Sequence, residues 1–329
     1  MAGRGSRLRP HTLTVPKPLV PVGGKPIVHR LVEDIANVCS EPIDEVAFVI
    51  GDFGKEVEKE LIAVAAEVGA KGSIYYQTEP LGTAHAVLCA KEALKGPVVV
   101  AFADTLFRAD FKIDPSDDGI LWVKQIEDPS AFGVVQLNQS GRIIDFVEKP
   151  KTFVSDLAMI GVYYFKKGED LLTEINYLVD NNIIKGGEYQ LPDALRRLTE
   201  KGTVFKPGKV NEWLDCGNKV VTVHTNQRVL EFDLENRKKL IHDSAEIEDS
   251  VIIPPCYIGP GAKISNSVVG PHVSIGGQTR ISNTVIKNTI VQNNTVIKNS
   301  VLENSMIGNA VKIQQKAQDL SLGDYSTLD

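Results

Sequence analysis

The sequence predicts an α/β domain built on a mixed sheet, followed by a parallel β-helix. Three observations lead there. Helix-like and strand-like apolar patterns alternate through the first two thirds of the chain. After Asn236, aliphatic residues return at every fifth or sixth position across 72 residues, a period that belongs to neither a helix nor a simple strand. The chain has 329 residues, 43% hydrophobic and 24% charged, a globular composition at a length that favours two domains over one. The boundaries expected are 1–236 and 237–316, with a tail over 317–329.

In the first domain Ile27, Val28, Leu31, Val32, Ile35 and Val38 share one helical face, and VAFVIG at Val46–Gly51 reads as a buried strand. Lys55–Gly69 reads as a helix, Ser73–Gln77 as a strand, Gly82–Leu94 as a helix and Val98–Asp104 as a strand. This alternation predicts a largely parallel sheet. Strands at Ile120–Ile126, Val134–Leu137, Ile143–Val147 and Met159–Phe165 follow with few helices between them, so antiparallel additions are expected.

In the second domain the aliphatic positions are 241, 247, 252, 258, 264, 269, 275, 281, 286, 291, 297, 302, 307 and 313, giving seven intervals of six and six of five. Hexapeptide spacing marks a helix of short parallel strands that turn a corner after each one. With three faces per coil, these positions make between four and five coils. Asn266, Asn283, Asn288, Asn294, Asn299, Asn304 and Asn309 lie near the expected corners, where Asn tolerates left-handed backbone.

Lys and Arg number 36 against 42 Asp and Glu, a net charge of -6, so no global positive field exists to hold nucleic acid. Small anions remain possible at local sites. Cys39, Cys89, Cys216 and Cys256 are widely spaced, which argues against a zinc site or a disulfide framework and fits a reducing cytoplasm. The apolar runs fall short of the roughly 18 residues that a membrane span needs, and no secretory signal is apparent.

The segment MAGRGSRLRP at Met1–Pro10 carries chemistry. Gly3 and Gly5 let backbone N–H groups approach phosphate oxygens, and Arg7 offers a forked cation. PKPLVPVGGKPI follows at Pro16–Ile27. Further on come Gln77 with PLGTAHA (Pro80–Ala86), the AD of Ala103–Asp104, FGVV (Phe132–Val135), VEKP (Val147–Pro150), MIGVYYF (Met159–Phe165), GEYQLPDA (Gly187–Ala194) and WLDCG (Trp213–Gly217). In this order they resemble the sugar-1-phosphate nucleotidylyltransferases, with Ser6 where the family usually has Thr. The resemblance covers nearly the whole chain and implies a Rossmann-like catalytic domain with a left-handed β-helix behind it.

It also implies a reaction in which a sugar 1-phosphate oxygen attacks the α-phosphorus of a nucleoside triphosphate and expels pyrophosphate. Two anions must meet, so cations are needed, with carboxylates to hold Mg²⁺. The resemblance assigns Mg²⁺ to Asp104 and Asp215 and the reacting phosphates to Arg7 and Lys17. Ala2, Gly3, Gly5, Ser6, Gln77, Gly82 and Thr83 fall on the nucleotide side, where the amide of Gln77 suits a pyrimidine edge. Glu148 suits sugar hydroxyls and Lys149 the sugar phosphate. Gly133 and Gly161 either let the sugar ring lie against bare backbone or are bulge glycines.

The favoured substrates are dTTP or UTP with glucose 1-phosphate. His85 resembles the histidine of uridylyltransferases that act on N-acetylglucosamine 1-phosphate, which keeps that acceptor open. His272 is the one candidate base for an acyltransferase activity on the β-helix, and a non-catalytic scaffold is a third reading. The flat faces of the β-helix suggest a homo-oligomer. Finally, the phosphate loop starts at Ala2, with only Met1 ahead of it. In proteins of this resemblance an apolar strand precedes that loop, between the strands at Val46–Ile50 and Val98–Asp104. The expectation is that these two strands are not paired with each other, the slot between them being unfilled, and that Met1 is internal to a longer chain.

Overall fold

The computed structural model describes residues 5–316, 321, 323 and 325–327. Ala2 and Gly3, like much of the expected tail, lie outside the described residues. The chain divides into two compact units, Met1–Val20 with Pro26–Gly217 and Pro21–Lys25 with Asn218–Asp329. The division therefore falls at Gly217, ahead of the last helix, instead of at residue 236.

A short hairpin, β1 (Pro21–Val22) and β2 (Lys25–Pro26), leads into α1 (Ile27–Val38). In the first unit, β3 (Glu45–Ile50) and β4 (Lys71–Tyr76) pair in parallel and are joined by α2 (Lys55–Glu67). α3 (Thr83–Cys89) precedes β5 (Val98–Ala101) and β6 (Thr105–Arg108). Then come β7 (Gly119–Gln125), β8 (Gly133–Leu137), β9 (Ile143–Glu148), β10 (Leu157–Phe165), α4 (Gly168–Asp180), α5 (Leu191–Glu200), β11 (Phe205–Lys209) and β12 (Glu212–Asp215).

The larger sheet runs β5-β10-β7-β11-β9-β8, and within it only β7 and β11 pair in parallel. The sheet is mixed, as the sequence predicts, with more antiparallel pairing than the early alternation of helix and strand suggests. Short turns such as Asn138–Arg142, closed by Asn138 N–H on Arg142 O at 2.9 Å, leave no room for the crossover helix that a parallel connection needs. β5 pairs with β10 and β3 with β4, and β3 and β5 share no ladder with each other.

The expected strand Val98–Asp104 stops at Ala101. The chain turns through Phe102–Asp104, and β6 then pairs antiparallel with β12. The core between the larger sheet, α4 and α5 centres on Phe205, whose ring meets Phe146 and Phe165 edge-on at 5.9 and 6.0 Å. A second core joins Val28 and Val32 of α1 with Phe48, Ile50, Leu61 and Val64. Among the described residues, no helix is long and apolar enough to cross a membrane.

The second unit opens with α6 (Lys219–Glu235), capped by Asn218, whose Oδ1 accepts from the N–H groups of Val220 and Val221 at 3.0 and 3.3 Å. Buried Asn226 accepts from Gly23 N–H at 2.8 Å and from Ser274 Oγ at 2.7 Å, tying the hairpin turn to the coils. Gly24 has φ +79, and a Cβ there would lie 2.3 Å from the Tyr257 ring, so glycine is required twice over.

The coils follow. β13 (Glu246–Glu248), β14 (Val251–Ile252) and β15 (Cys256–Ile258) make the first, and β16 (Lys263–Ser265), β17 (Val268–Val269) and β18 (Val273–Ile275) the second. β19 (Arg280–Ser282), β20 (Val285–Lys287) and β21 (Ile290–Val291) make the third. β22 (Val296–Lys298), β23 (Val301–Glu303) and β24 (Met306–Ile307) make the fourth, and β25 (Lys312–Gln314) starts another. Like strands stack in parallel into three sheets, the architecture that the hexapeptide spacing predicts.

Each of these strands carries one of the periodic aliphatics, and Ile258 and Ile275, Val269 and Ile286, and Ile297 are fully buried, pointing from the three sheets into a single core. Left-handed backbone recurs at the corners: Asn266, Asn283 and Asn299 in one line, Asn288 and Asn304 with His272 in a second, Asn294 with Gln278 and Ala310 in a third. Asn309 is the exception among the predicted corners, since the left-handed residue is its neighbour Ala310. Instead the Asn309 side chain donates to Gln292 Oε1 at 2.8 Å.

Candidate active site

Gly5 starts the site. Its φ of +59 is left-handed, and a Cβ would sit 3.1 Å from Lys17 Cβ and from Thr12 Cγ2, so the missing side chain lets the Lys17 segment close in. Thr12 Oγ1 donates to Gly5 O at 2.7 Å and fixes the turn. Ser6 and Arg7 follow in a 3₁₀ turn anchored by buried Leu8. Lys17 opens another 3₁₀ turn directly after Pro16, and its side chain is only 10% exposed.

A buried ammonium needs a partner, and Lys17 Nζ lies 2.9 Å from Asp104 Oδ2. Asp104 stands in the turn between β5 and β6, and its carbonyl accepts from Cys216 N–H at 3.0 Å. Because Asp215 sits opposite Thr105 in the β6–β12 ladder, both aspartates arrive at one end of that ribbon. Burial pushes the Asp215 carboxyl above its ordinary range, and the charge of Asp104 pushes it further. Lys17, the Gly217 N–H at 2.8 Å and Arg7 pull it back down. Arg7, Lys17, Asp104 and Asp215 thus share one electrostatic neighbourhood.

On the side assigned to the nucleotide, Gln77 follows β4, and its Nε2 donates to Gly82 O and to His85 Nδ1, both at 3.1 Å. Gly82 has φ +114 and is pressed against the backbone of Tyr189, where a Cβ would meet Tyr189 O at 2.5 Å. Thr83 Oγ1 accepts from Leu191 N–H at 3.0 Å. GEYQLPDA therefore braces the start of α3, a function that its sequence alone did not reveal.

On the side assigned to the sugar, Gly133 pairs with Glu148 across β8 and β9. A Cβ at Gly133 would crowd Glu148 Oε2 at 2.8 Å and Met159 Cε at 2.5 Å. Lys149 adopts a left-handed φ of 44 and donates its N–H to Phe132 O at 3.1 Å, with its Nζ 4.0 Å from Glu148 Oε1. Gly161, at φ +84, lies where β10 slips register, in a bulge. The Trp213 ring meets Phe132 edge-on at 4.8 Å, and its Nε1 donates to Thr105 Oγ1 at 2.8 Å. Sequence reading missed that link between WLDCG and FGVV, although a Trp two residues ahead of Asp215 was a signal available for it.

His272 falls in the second unit, where its Nε2 lies 2.9 Å from Glu231 Oε1 of α6. Among the described residues no three His, Cys, Asp or Glu side chains gather in a way that could hold a metal, so a cation at Asp104 and Asp215 would take its other oxygens from substrate and water.

Comparison with known proteins gives concordant results. The nucleotidyl transferase family model matches residues 1–231, and a GlmU-like C-terminal hexapeptide model matches residues 219–293. The chain is 31% identical over 286 residues to a glucose-1-phosphate thymidylyltransferase of Streptomyces antibioticus, covering 80% of this chain and 77% of that one. It is 30% identical over 254 residues to the bifunctional protein GlmU of Methanococcus maripaludis, covering 77% of this chain and 58% of that protein's length. Among solved structures, a nucleoside-diphosphate-sugar pyrophosphorylase from Vibrio cholerae aligns with a TM-score of 0.59 at 22% identity, over 69% of this chain and 98% of that one. That likeness concerns the fold.

Proposed function

The chain belongs to the nucleotidyl transferase family, and from that membership we propose that it joins a nucleoside triphosphate to a sugar 1-phosphate, giving a nucleotide sugar and pyrophosphate. The observation that carries this reading is the buried Lys17 held 2.9 Å from Asp104, in a neighbourhood shared with Asp215 and Arg7. In the reaction an oxygen of the sugar phosphate forms a bond to the α-phosphorus as the bond to the bridging β-phosphate oxygen breaks. The Lys17 ammonium and the Arg7 guanidinium offset the repulsion between the two anions, on the attacking and leaving sides respectively. Glu148 accepts from sugar hydroxyls, and Lys149 reaches the sugar phosphate.

The aspartate pair fits a hard divalent cation. Two carboxylates in one neighbourhood, one of them pushed towards protonation by burial and by the other's charge, are a donor set that Mg²⁺ would relieve. Asp104 and Asp215 would hold it, and it would supply charge stabilisation at the phosphates. With Ala2, Gly3, Gly5, Ser6, Gln77, Gly82 and Thr83 on the nucleotide side and Gly133 and Gly161 on the sugar side, dTTP or UTP with glucose 1-phosphate is the favoured pair. The thymidylyltransferase relative supports it.

The hexapeptide match and the GlmU relatives favour a second acceptor, N-acetylglucosamine 1-phosphate. Pyrophosphate release across dTTP, UTP, CTP, GTP and ATP, each with both acceptors and Mg²⁺, tests both. Turnover with at least one pair, lost in Asp104→Asn, is the expected result, and silence with every pair overturns the assignment. The same reading takes the chain as a cytoplasmic homo-oligomer, checked in solution by light scattering against the 35.9 kDa monomer.

A further inference from the structure

We propose that His85 is a specificity-determining positioning residue. It locks the Gln77 amide so that only an acceptor oxygen faces the base, which admits uracil or thymine and rejects cytosine. The inference rests on the nucleotide-side reading given above for Gln77.

The geometry fixes the amide in one sense. Gln77 has two N–H bonds on Nε2; one is directed at Gly82 O and the other at His85 Nδ1, each at 3.1 Å. A carbonyl can only accept, so Nε2 must face Gly82, and the flip ambiguity of an isolated glutamine is removed. His85 Nδ1 must then be the bare nitrogen, with the proton on Nε2. Both acceptors lie on the first turn of α3 and its entry. That turn cannot drift, because Gly82 is pinned by Tyr189, Ala84 N–H donates to Tyr189 O at 3.0 Å, and Thr83 accepts from Leu191.

The atom left to the ligand is Gln77 Oε1, an acceptor. Uracil and thymine carry a hydrogen on N3 and match it, whereas cytosine presents a lone pair at N3. Were the amide able to turn over, its N–H₂ could satisfy cytosine equally well. The Gly82 carbonyl sets the sense of the amide, and His85, the second acceptor on Nε2, holds it there.

The test measures kcat/KM for UTP, dTTP and CTP by pyrophosphate release from the full chain at saturating sugar 1-phosphate, with equilibrium binding of each nucleotide alongside. In His85→Leu, or His85→Phe if the first variant folds poorly, the preference for UTP over CTP should fall by about tenfold. His85→Asn, whose Oδ1 can occupy the place of Nδ1, should restore it, which a merely structural role for His85 does not predict. Gln77→Leu should erase the preference altogether.

A collapse in Gln77→Leu with an unchanged ratio in both His85 variants, or no rescue by Asn, overturns this inference alone. An unchanged ratio in Gln77→Leu, or a parent enzyme that prefers CTP, overturns the nucleotide-side reading and the inference together. A parent that binds and turns over no nucleotide defeats the proposed function as a whole.

Discussion

The candidate site and the coils are held together in opposite ways. At the site, Gly5, Lys17, Gln77, Asp104 and Asp215 come from distant parts of the chain, and each is placed by a different neighbour: a close approach at Gly5, an ion pair at Lys17, a ladder at Asp215. In the coils strand residues meet counterparts one turn away, as Ile264 meets Ile281 and Ile281 meets Ile297. Long-range placement concentrates charge where chemistry needs it and tolerates strain. Repetition spends the same residues on stability, spread evenly.

That contrast can be broken most severely at Lys17. If the proposed reaction holds, Lys17→Ala removes a cation from between two anionic substrates and is expected to lower pyrophosphate release by about a thousandfold or more, roughly 4 kcal/mol. Its thermal midpoint should move little, because the Asp104 side chain, 43% exposed, regains water. A collapse of the melt instead of the rate would make Lys17 a structural residue.

The coil counterpart is Ile286→Ala. Deleting a fully buried side chain from the stacked column should cost about 2–5 kcal/mol in urea unfolding and leave turnover below the transition near the parent value. A loss under about 1 kcal/mol would show that the coils are looser than their burial implies.

Cys256 gives a smaller, pH-dependent term. Burial pushes its thiol up to about 11 from an ordinary 9.0, so the folded state favours the neutral form. Its contribution is complete below about pH 9, where the unfolded thiol is still protonated, and is lost as pH rises towards 11. The stability difference between the parent and Cys256→Ala should shrink by on the order of 2 kcal/mol between pH 8.5 and 11. A pH-independent difference would contradict the burial.

The smallest effect belongs to a corner. Asn283 has φ 49 and donates to Asn299 Oδ1 at 3.2 Å. Asn283→Ala should cost about 1 kcal/mol and Asn283→Gly less, since only the former forces a Cβ into left-handed backbone without a side-chain bond. Equal losses would mean that the hydrogen bond, not the backbone, matters there.

The same contrast explains what was legible. The coils could be read from the sequence because burial and corner chemistry are local: Ile275 and Asn283 announce their roles within six residues of chain. Even so, the shift from Asn309 to Ala310 shows that residue type marks a corner only to within one position. The helices at Ile27–Val38 and Lys55–Glu67 carried a clear period, yet β6 and β12 did not, being short and paired across more than a hundred residues. The site residues came through motifs. What composition and spacing could not supply was the second partner of each: Tyr189 against Gly82, Trp213 against Thr105, and His85 beside Gln77.

The corners also govern how such a chain can change in length. From Asn266 to Asn283 is one turn and from Asn283 to Asn299 another, and the lines through Asn288 and Asn304 and through Asn294 and Ala310 advance in step. Excising residues 283–298 would bring Asn299 to the place of Asn283 and seat every later strand on a ladder already cut for it. Removing one to three residues would instead put a strand or pre-strand residue at a corner and draw the aliphatic positions out of the core. Lengthening and shortening are therefore quantised: the solenoid can be spliced in steps that carry a corner onto a corner, and it resists change in steps that do not.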